Sequence, residues 1–179
     1  MALLTGNLTG TVGFSIKASE TSPGSTSGVL NNTLTAQFQE VLNLGTASNQ
    51  ANLFVSQIPA AIAASGTLNL DLYDASTPLL DILGNTCAFR HVKQMIIWIV
   101  PGTGDVSGVT IGAAGSNPWL GPLGGTTPTF TIYPGGLPFC GGEPTVGLVV
   151  SSTHGQLLLT NNSSSVAAQL QIVVAGTTT

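Results

Sequence analysis

Charged residues are scarce in this sequence of 179 residues. It contains three Lys or Arg and seven Asp or Glu, together 6% of the chain, against about 25% in an ordinary soluble domain. So few cations exclude a protein that binds nucleic acid through its phosphates, because such binding usually neutralises about six phosphates or more. Hydrophobic residues nevertheless make up 42% of the chain. That is enough apolar material to collapse, so disorder caused by charge and low hydrophobicity is excluded as well.

Long hydrophobic runs are also lacking. The longest strongly apolar run, Met95–Val100, has six residues, whereas a membrane helix needs about 20 residues and a membrane barrel strand about 9–11. The segment that starts at Met1 lacks the basic and apolar regions of a secretory signal. We therefore expect a protein that is made and folded in a cytosol and enters no membrane. There, the two cysteines, Cys87 and Cys140, are expected to be reduced, mostly buried thiols rather than a disulfide.

Apolar and polar residues alternate along several segments, and this alternation predicts strands with one buried face. The clearest case is the set of Leu68, Leu70 and Leu72, which are separated by polar residues. The same pattern runs over 8–17 and 34–44. Each of these segments is therefore predicted to be a strand whose apolar side faces the core and whose polar side faces solvent.

Other segments give different signals. The run Met95–Val100 is apolar on both faces and predicts a central strand that is covered on both sides. Glu40 interrupts the apolar side of its segment and indicates a bulge or a strand edge. Ala60–Ala64 and Leu79–Leu83 are each long enough for a single helical turn. Further short strands, separated by Gly, Pro and Asn turn signals, are predicted over 106–112, 129–133, 146–151, 156–160 and 167–174.

Roughly ten short strands without sustained helical periodicity are typical of one fold class. We predict an all-β protein, an antiparallel β-sandwich of jelly-roll type with an N-terminal arm. The predicted division is an N-terminal strand and loop over 1–30, which could serve as the arm, and a β-sandwich domain over 31–179.

No set of residues points to catalysis. The two histidines, His91 and His154, have no Cys, His or Glu at metal-ligand spacing. Three aspartates, Asp71, Asp74 and Asp81, do not fit the spacing of a known calcium loop, so structural roles are favoured over a calcium or magnesium site. The sequence also has no Gly-x-Ser-x-Gly motif and no phosphate-binding loop with its lysine. We predict a protein that is not an enzyme and that binds no cofactor and no metal.

Two loops bounded by prolines carry large apolar side chains, and these indicate contact with protein. Such side chains either fold back to cap the sandwich or form an interface, where Trp and Phe are enriched; the sequence leaves both alternatives open. With so few charges the outer surface is mostly Thr, Ser, Asn and Gln, which suits a subunit packed into an assembly. The candidate interface residues are Asn117, Pro118, Trp119, Leu120 and Leu123 in one loop, and Leu137 and Phe139 in the other.

Seven segments of strands and turns together carry a further signal. They are Gly45–Asn52, Ala63–Leu72, Leu80–Lys93, Val109–Pro118, Tyr133–Gly136, Leu157–Asn162 and Ile172–Gly176. Their pattern resembles that of a family of bacteriophage virion structural proteins. The resemblance covers about residues 34–176 and includes no catalytic signature. It implies a virion protein that is assembled in the cytoplasm of a bacterial host.

The resemblance implies a structural role within such a particle. We expect a capsid decoration or cement protein, a homotrimer, that binds the major capsid protein or other virion proteins and clamps neighbouring subunits together. The segment 1–30 would reach a neighbour. The alternative is a tail or fibre module that binds glycans on the host surface. Trp119 with Asn117 is then the candidate site, because sugar rings stack on aromatic side chains beside polar groups.

Overall fold

The computed structural model describes residues 8–18, 32–73, 79–80, 86–100, 103, 106–124, 128–136, 139–143 and 145–179. Within these residues the chain forms strands and no helix, so the predicted all-β class is confirmed. In chain order the strands are β1 (Leu8–Ala18), β2 (Asn32–Leu44), β3 (Gln50–Ala51), β4 (Leu53–Ile62), β5 (Thr67–Asp71), β6 (Leu79–Leu80), β7 (Thr86–Cys87), β8 (His91–Ile99), β9 (Val109–Ala113), β10 (Thr129–Ile132), β11 (Phe139–Gly141), β12 (Leu148–Val149), β13 (Gln156–Asn161) and β14 (Ala168–Thr177).

The large sheet is built around the apolar run that the sequence singled out. Its strand order is β11-β8-β14-β4, and β12 also pairs with β8. The strand β8, which contains Met95–Ile99, therefore has β14 on one side and β11 and β12 on the other. The predicted central position is confirmed, whereas the predicted cover on both sides is partial, since Ile96 and Trp98 are half-buried.

The small sheet has the strand order β10-β9-β13-β5, and neighbouring strands within both sheets are antiparallel. The two sheets pack on each other through one hydrophobic core. The predicted alternation is visible in β5, where Leu70 is buried and Leu68 packs against the core. The large sheet contributes Val55, Ile62, Val92, Met95, Ile97, Ile99, Leu170, Ile172 and Val174 to this core, and the small sheet contributes Leu70, Val109, Ile111, Ile132, Leu157 and Leu159.

The strand β4 forms one edge of the large sheet and continues through Pro59. Ala60 lies opposite Leu170, whereas Gln57 lies opposite Ile172, so β4 has one more residue than β14 between these two pairs. This extra residue makes a β-bulge. Edge strands and bulges are the places where a sheet tolerates proline, because proline donates no hydrogen bond to a ladder.

The helical turn predicted over Ala60–Ala64 is wrong, since Ala60–Ile62 belongs to β4 and pairs with β14. A segment this short gains little from helical hydrogen bonds, and the ladder to β14 supplies partners instead. The second helical turn is also wrong where the structure describes it: Leu79–Leu80 is the strand β6, which pairs with β7. Residues 81–83 lie outside the described residues.

A third sheet contains the strands β1, β2 and β3 in that order. The ladder between β1 and β2 runs from Leu8 opposite Leu42 to Ala18 opposite Asn32 without a register shift. Glu40 pairs with Gly10 in that ladder, so of the bulge or strand edge predicted there no bulge forms. On the other side of β2, the pairing with β3 covers only Asn43 and Leu44, which agrees with the alternative of a strand edge. The β1 strand, from the predicted arm, thus pairs with β2, from the predicted domain. This sheet is attached to the large sheet by a cluster of Leu42, Ala51 and Ala175, against which Phe54 packs.

Candidate functional site

The outward side of the small sheet is polar. Thr67, Thr160, Thr110 and Thr131 form a row across its four strands, each residue opposite the next. The hydroxyl oxygens of Thr110 and Thr131 lie 3.1 Å apart, and Asn162 Nδ2 donates to Thr110 Oγ1 at 2.9 Å. Neutral groups of this kind hydrogen-bond equally well to one another and to water. This side of the protein is therefore suited to solvent.

The outward side of the large sheet carries an apolar patch beside glutamines, since Gln171 is the register partner of Trp98 and Gln94 is that of Ala175. Met95, Ile97 and Ile99 of β8 point into the core, so Ile96 and Trp98 lie on the other side of the strand, because side chains alternate along it. Both are half-buried.

The neighbouring strands continue this side. Ile96 is the register partner of Val173, which is half-buried too. Ala175 lies opposite Phe54 farther along β14. We call this surface the apolar outer face; it consists of Phe54, Ile96, Trp98, Val173 and Ala175.

The outward sides of the two sheets thus differ in chemistry, although the inward sides of both sheets pack around the same core. A face with several adjacent apolar side chains, including a tryptophan, is characteristic of a protein interaction surface. The N-terminal sheet already covers one end of it, at Ala175. The apolar outer face is therefore the candidate functional site. The signal for it in the sequence is the absence of alternation in Met95–Val100, which is apolar on both faces of one strand.

Trp119, the central residue of the first predicted loop, is anchored in the core. Its side chain is 1% exposed, and its indole Nε1 donates to the backbone oxygen of Val149 at 2.9 Å. A Cβ atom at Gly121 would lie 2.9 Å from two indole carbons, so the chain passes close over the ring. The indole therefore caps the core in this structure, and it presents no ring face on which a sugar could stack.

The other predicted interface residues occupy different environments. Asn117 is exposed, while Leu123 is half-buried and packs against the core. Phe139 is buried, with its ring centroid 5.7 Å from that of Phe130, which is exposed. Pro118 and Leu120 are half-buried, and Leu137 lies outside the described residues. Contact of this group with another protein stays a prediction.

Titratable residues are dispersed. Within the described part of the chain, no three His, Cys, Asp or Glu side chains form a group that could hold a metal ion. His91 Nδ1 lies 3.0 Å from the backbone oxygen of Thr179, and His154 Nδ1 lies 3.0 Å from Thr153 Oγ1. Asp71 is buried. Asp74 and Asp81 lie outside the described residues.

Of the two cysteines, the structure describes the side chain of Cys87. Cys87 is buried, as expected. The side chain of Cys140 lies outside the described part of the structure. Among the described residues, none belongs to a helix with the length and apolar character needed to cross a membrane.

A buried lysine is a feature that sequence reasoning missed. Lys93 is 2% exposed, and its Nζ donates to the backbone oxygen of Thr145 at 2.8 Å. The register between β8 and β14 shifts at this point, because Ala175 lies opposite Gln94 while Gly176 lies opposite Val92. The bulge breaks the alternation, which explains why Lys93 and Val92 are both buried although they are adjacent.

The loop that accepts this lysine is held by a carboxylate. Glu143 accepts hydrogen bonds from the backbone N–H groups of Thr145, Val146 and Gly147. The N–H of Gly147 makes the largest contribution to lowering the pKa of Glu143 below its ordinary value of 4.5. Since hydrogen bonds to the charged form favour that form, the loop and the ionised carboxylate stabilise each other.

Comparisons of the chain with protein-family models, curated proteins and solved structures found no match.

Proposed function

We propose that this chain is a non-enzymatic structural subunit of a bacteriophage virion, a capsid decoration or cement protein that binds neighbouring capsid subunits. The observation that carries the proposal is the apolar outer face of the large sheet. It lies opposite a polar, threonine-rich side, so one surface is suited to solvent and the other to a protein partner. The sequence resemblance supplies the virion setting, and the scarcity of charge disfavours nucleic acid as the partner.

The strand order supports a jelly roll. The antiparallel pairs are nested in the sequence: β9 with β10 is the innermost, followed by β8 with β11, β5 with β13 and β4 with β14. Such nesting is expected of one long hairpin that is rolled into two four-stranded sheets. Jelly rolls occur in viral capsid domains and in lectins. Because a fold does not fix a function, the argument for assembly rests on the surface and not on the topology.

The segment 1–30 is the proposed arm, and its strand β1 pairs with β2 of the predicted domain. Two-stranded ribbons are only marginally stable by themselves in water. The register between β1 and β2 places apolar positions opposite apolar positions, as with Val12 and Phe38 or Ile16 and Leu34. A neighbouring subunit that packs on the ladder of β1 and β2 would stabilise it by burying apolar positions. We propose a homotrimer as the assembled form, as the resemblance implies, with the major capsid protein or another virion protein as the partner.

The test uses capsids of the phage that encodes this chain, prepared without the protein. Purified protein is added, and the temperature at which the capsids are disrupted is measured. We expect the protein to bind and to raise that temperature. Absence of binding, together with an unchanged disruption temperature, would refute the proposal.

A matched pair of variants tests the surface. Ile96→Thr removes apolar area from the apolar outer face, and Leu158→Thr makes a similar change at a half-buried position on the outward side of the small sheet. Loss of about 1.4 kcal/mol of apolar burial at Ile96 corresponds to about tenfold weaker capsid binding. Leu158→Thr should bind as the unchanged protein does. Equal binding by both variants, each shown to be folded by circular dichroism, would exclude the apolar outer face as the contact.

A further inference from the structure

A polar cleft lies at one end of the small sheet, on the side away from the core. Three segments enclose it: the turn after β5, the loop after β9 and the turn before β13. Its volume is about 180 Å³, which corresponds to about six water molecules at ~30 Å³ each. The residues that matter for its chemistry are Asp71, Tyr73, Asn117, Ser151, Gly155 and Gln156.

The walls of the cleft are fixed by backbone hydrogen bonds. The backbone oxygen of Asn117 accepts from the N–H groups of Gly155 and Gln156, both at 2.9 Å, and Leu72 N donates to Gly155 O at 2.8 Å. Gly155 has no room for a side chain, because a Cβ atom there would lie 2.8 Å from Tyr73 Cβ. The three segments are therefore in place before any ligand arrives, which reduces the entropy that binding costs.

A carboxylate and an amide form the floor of the cleft. Asp71 is only 5% exposed although it lies on the outward side of β5. Its Oδ2 accepts from Gln156 Nε2 at 3.0 Å, and its Oδ1 accepts from Tyr73 N at 2.9 Å. Gln156 Oε1 in turn accepts from Asn69 Nδ2 at 3.1 Å and from Ser116 Oγ at 3.3 Å. Because both ends of the Gln156 amide are engaged, its orientation is fixed.

The rim adds an exposed amide and an aromatic ring. Asn117 is exposed and has a left-handed backbone, with φ at 49°; this conformation costs energy in a residue other than glycine and is often found at functional sites. The ring of Tyr73 is half-buried, and the guanidinium carbon of Arg90 lies 4.0 Å from its centroid. The cation fixes the ring against one side of the cleft.

The chemistry of these groups selects the kind of ligand. A carboxylate on the floor and the lack of a cation among the described lining residues disfavour phosphate and other anions. A lining rich in carboxylate, amide and hydroxyl groups disfavours an apolar ligand. Sugar hydroxyls both donate and accept, so they match carboxylate and amide groups, and the apolar face of a sugar matches an aromatic ring.

We propose that this cleft binds one neutral sugar residue of a glycan. The side chains of Asp71 and Gln156, which are held by their own hydrogen bonds, hydrogen-bond to the hydroxyl groups of the sugar. Asn117 hydrogen-bonds to the sugar from the rim, and the ring of Tyr73 contacts its apolar edge. The site shares Asn117 with the one suggested by the sequence but has Tyr73 in place of Trp119 as its aromatic residue, and the proposal does not depend on the virion role.

The test begins with the purified full chain on a glycan array and with saturation-transfer NMR against a panel of monosaccharides, in buffer that contains EDTA. We expect array signals from glycans that share one sugar residue, and NMR transfer from that monosaccharide. Failure to detect any sugar by both methods would refute the proposal. In a separate sample without EDTA, a response to Ca²⁺ together with the absence of any sugar signal would refute it as well and would indicate a cation site.

Variants then locate the binding. Asn117→Gly removes the rim amide and suits the left-handed backbone, and Asn49→Gly is its matched control, because Asn49 is also exposed and has φ at 55°. Loss of one hydrogen bond predicts about tenfold weaker binding for Asn117→Gly and no change for Asn49→Gly. Asp71→Asn should weaken binding by about tenfold, because a neutral amide oxygen accepts a weaker hydrogen bond than a carboxylate does. Undiminished sugar binding by both Asn117→Gly and Asp71→Asn would overturn the assignment.

Discussion

Replacement of Trp119 by phenylalanine separates a role in the core from a role at an interface. The change removes the hydrogen bond from Nε1 to the backbone oxygen of Val149, which contributes about 1 kcal/mol to the free energy of unfolding. It also removes the ring edge that lies against Gly121, and this loss of contact adds about 1 kcal/mol more. The expected destabilisation of the isolated chain is therefore about 2 kcal/mol.

Urea unfolding measures this value directly. The chain has two tryptophans, so Trp119→Phe leaves Trp98 as the single fluorescent reporter, and far-ultraviolet circular dichroism gives a second probe. The matched control is Trp98→Phe, which makes the same chemical change at a half-buried position on the apolar outer face. We expect a loss below about 0.5 kcal/mol for the control, as is usual for surface substitutions.

The effects of the two substitutions on capsid binding should have the opposite order to their effects on stability. At temperatures where both variants are folded, Trp98→Phe should weaken capsid binding and Trp119→Phe should leave it unchanged. If Trp119→Phe is as stable as the unchanged protein, or if Trp98→Phe destabilises the isolated chain more than Trp119→Phe does, the assignment of these two side chains is wrong.

Two further predictions concern a loop and a glycine. The pKa of Glu143 is lowered in the folded protein, with the N–H of Gly147 as the largest cause; its stabilising contribution is therefore present above pH 4.5 and is lost as the pH falls from there through the folded pKa. Thermal melts between pH 3 and pH 7 should show a smaller pH dependence for Glu143→Gln; identical pH profiles would contradict this. A Cβ atom at Gly176 would overlap the backbone oxygen of His91, so Gly176→Ala should lower the free energy of unfolding by about 1–3 kcal/mol. Gly115→Ala, where the space is open, is the control in urea unfolding, and equal losses would contradict the clash.

The regular strands could be predicted because their signals are local. The alternation of Leu68 and Leu70 and the apolar run of β8 specify which face of each strand is buried, whatever the strand pairs with. The segment from Ala60 to Ile62 shows the limit of that reasoning. Alanine favours a helix locally, but pairing with β14 is a long-range contact that a short segment cannot signal.

The functional surfaces were harder to predict for physical reasons. A tryptophan in a proline-bounded loop is buried whether it caps its own core or enters an interface, so the sequence around Trp119 is compatible with both. Lys93 escaped notice because a bulge changes which face a residue occupies, and a bulge depends on the neighbouring strand. The cleft brings Asp71, Asn117 and Gln156 together from three distant segments, and no spacing rule connects them.

Pro59 in the edge strand β4 also affects whether another molecule can add a strand to the large sheet. An open strand edge is a template on which the strand of another molecule can add, and each addition exposes a new edge, so growth by that route has no natural end. In β4 this template is interrupted at Pro59, because proline has no N–H donor and the bulge disturbs the register. The edge formed by β4 therefore disfavours open-ended growth by strand addition.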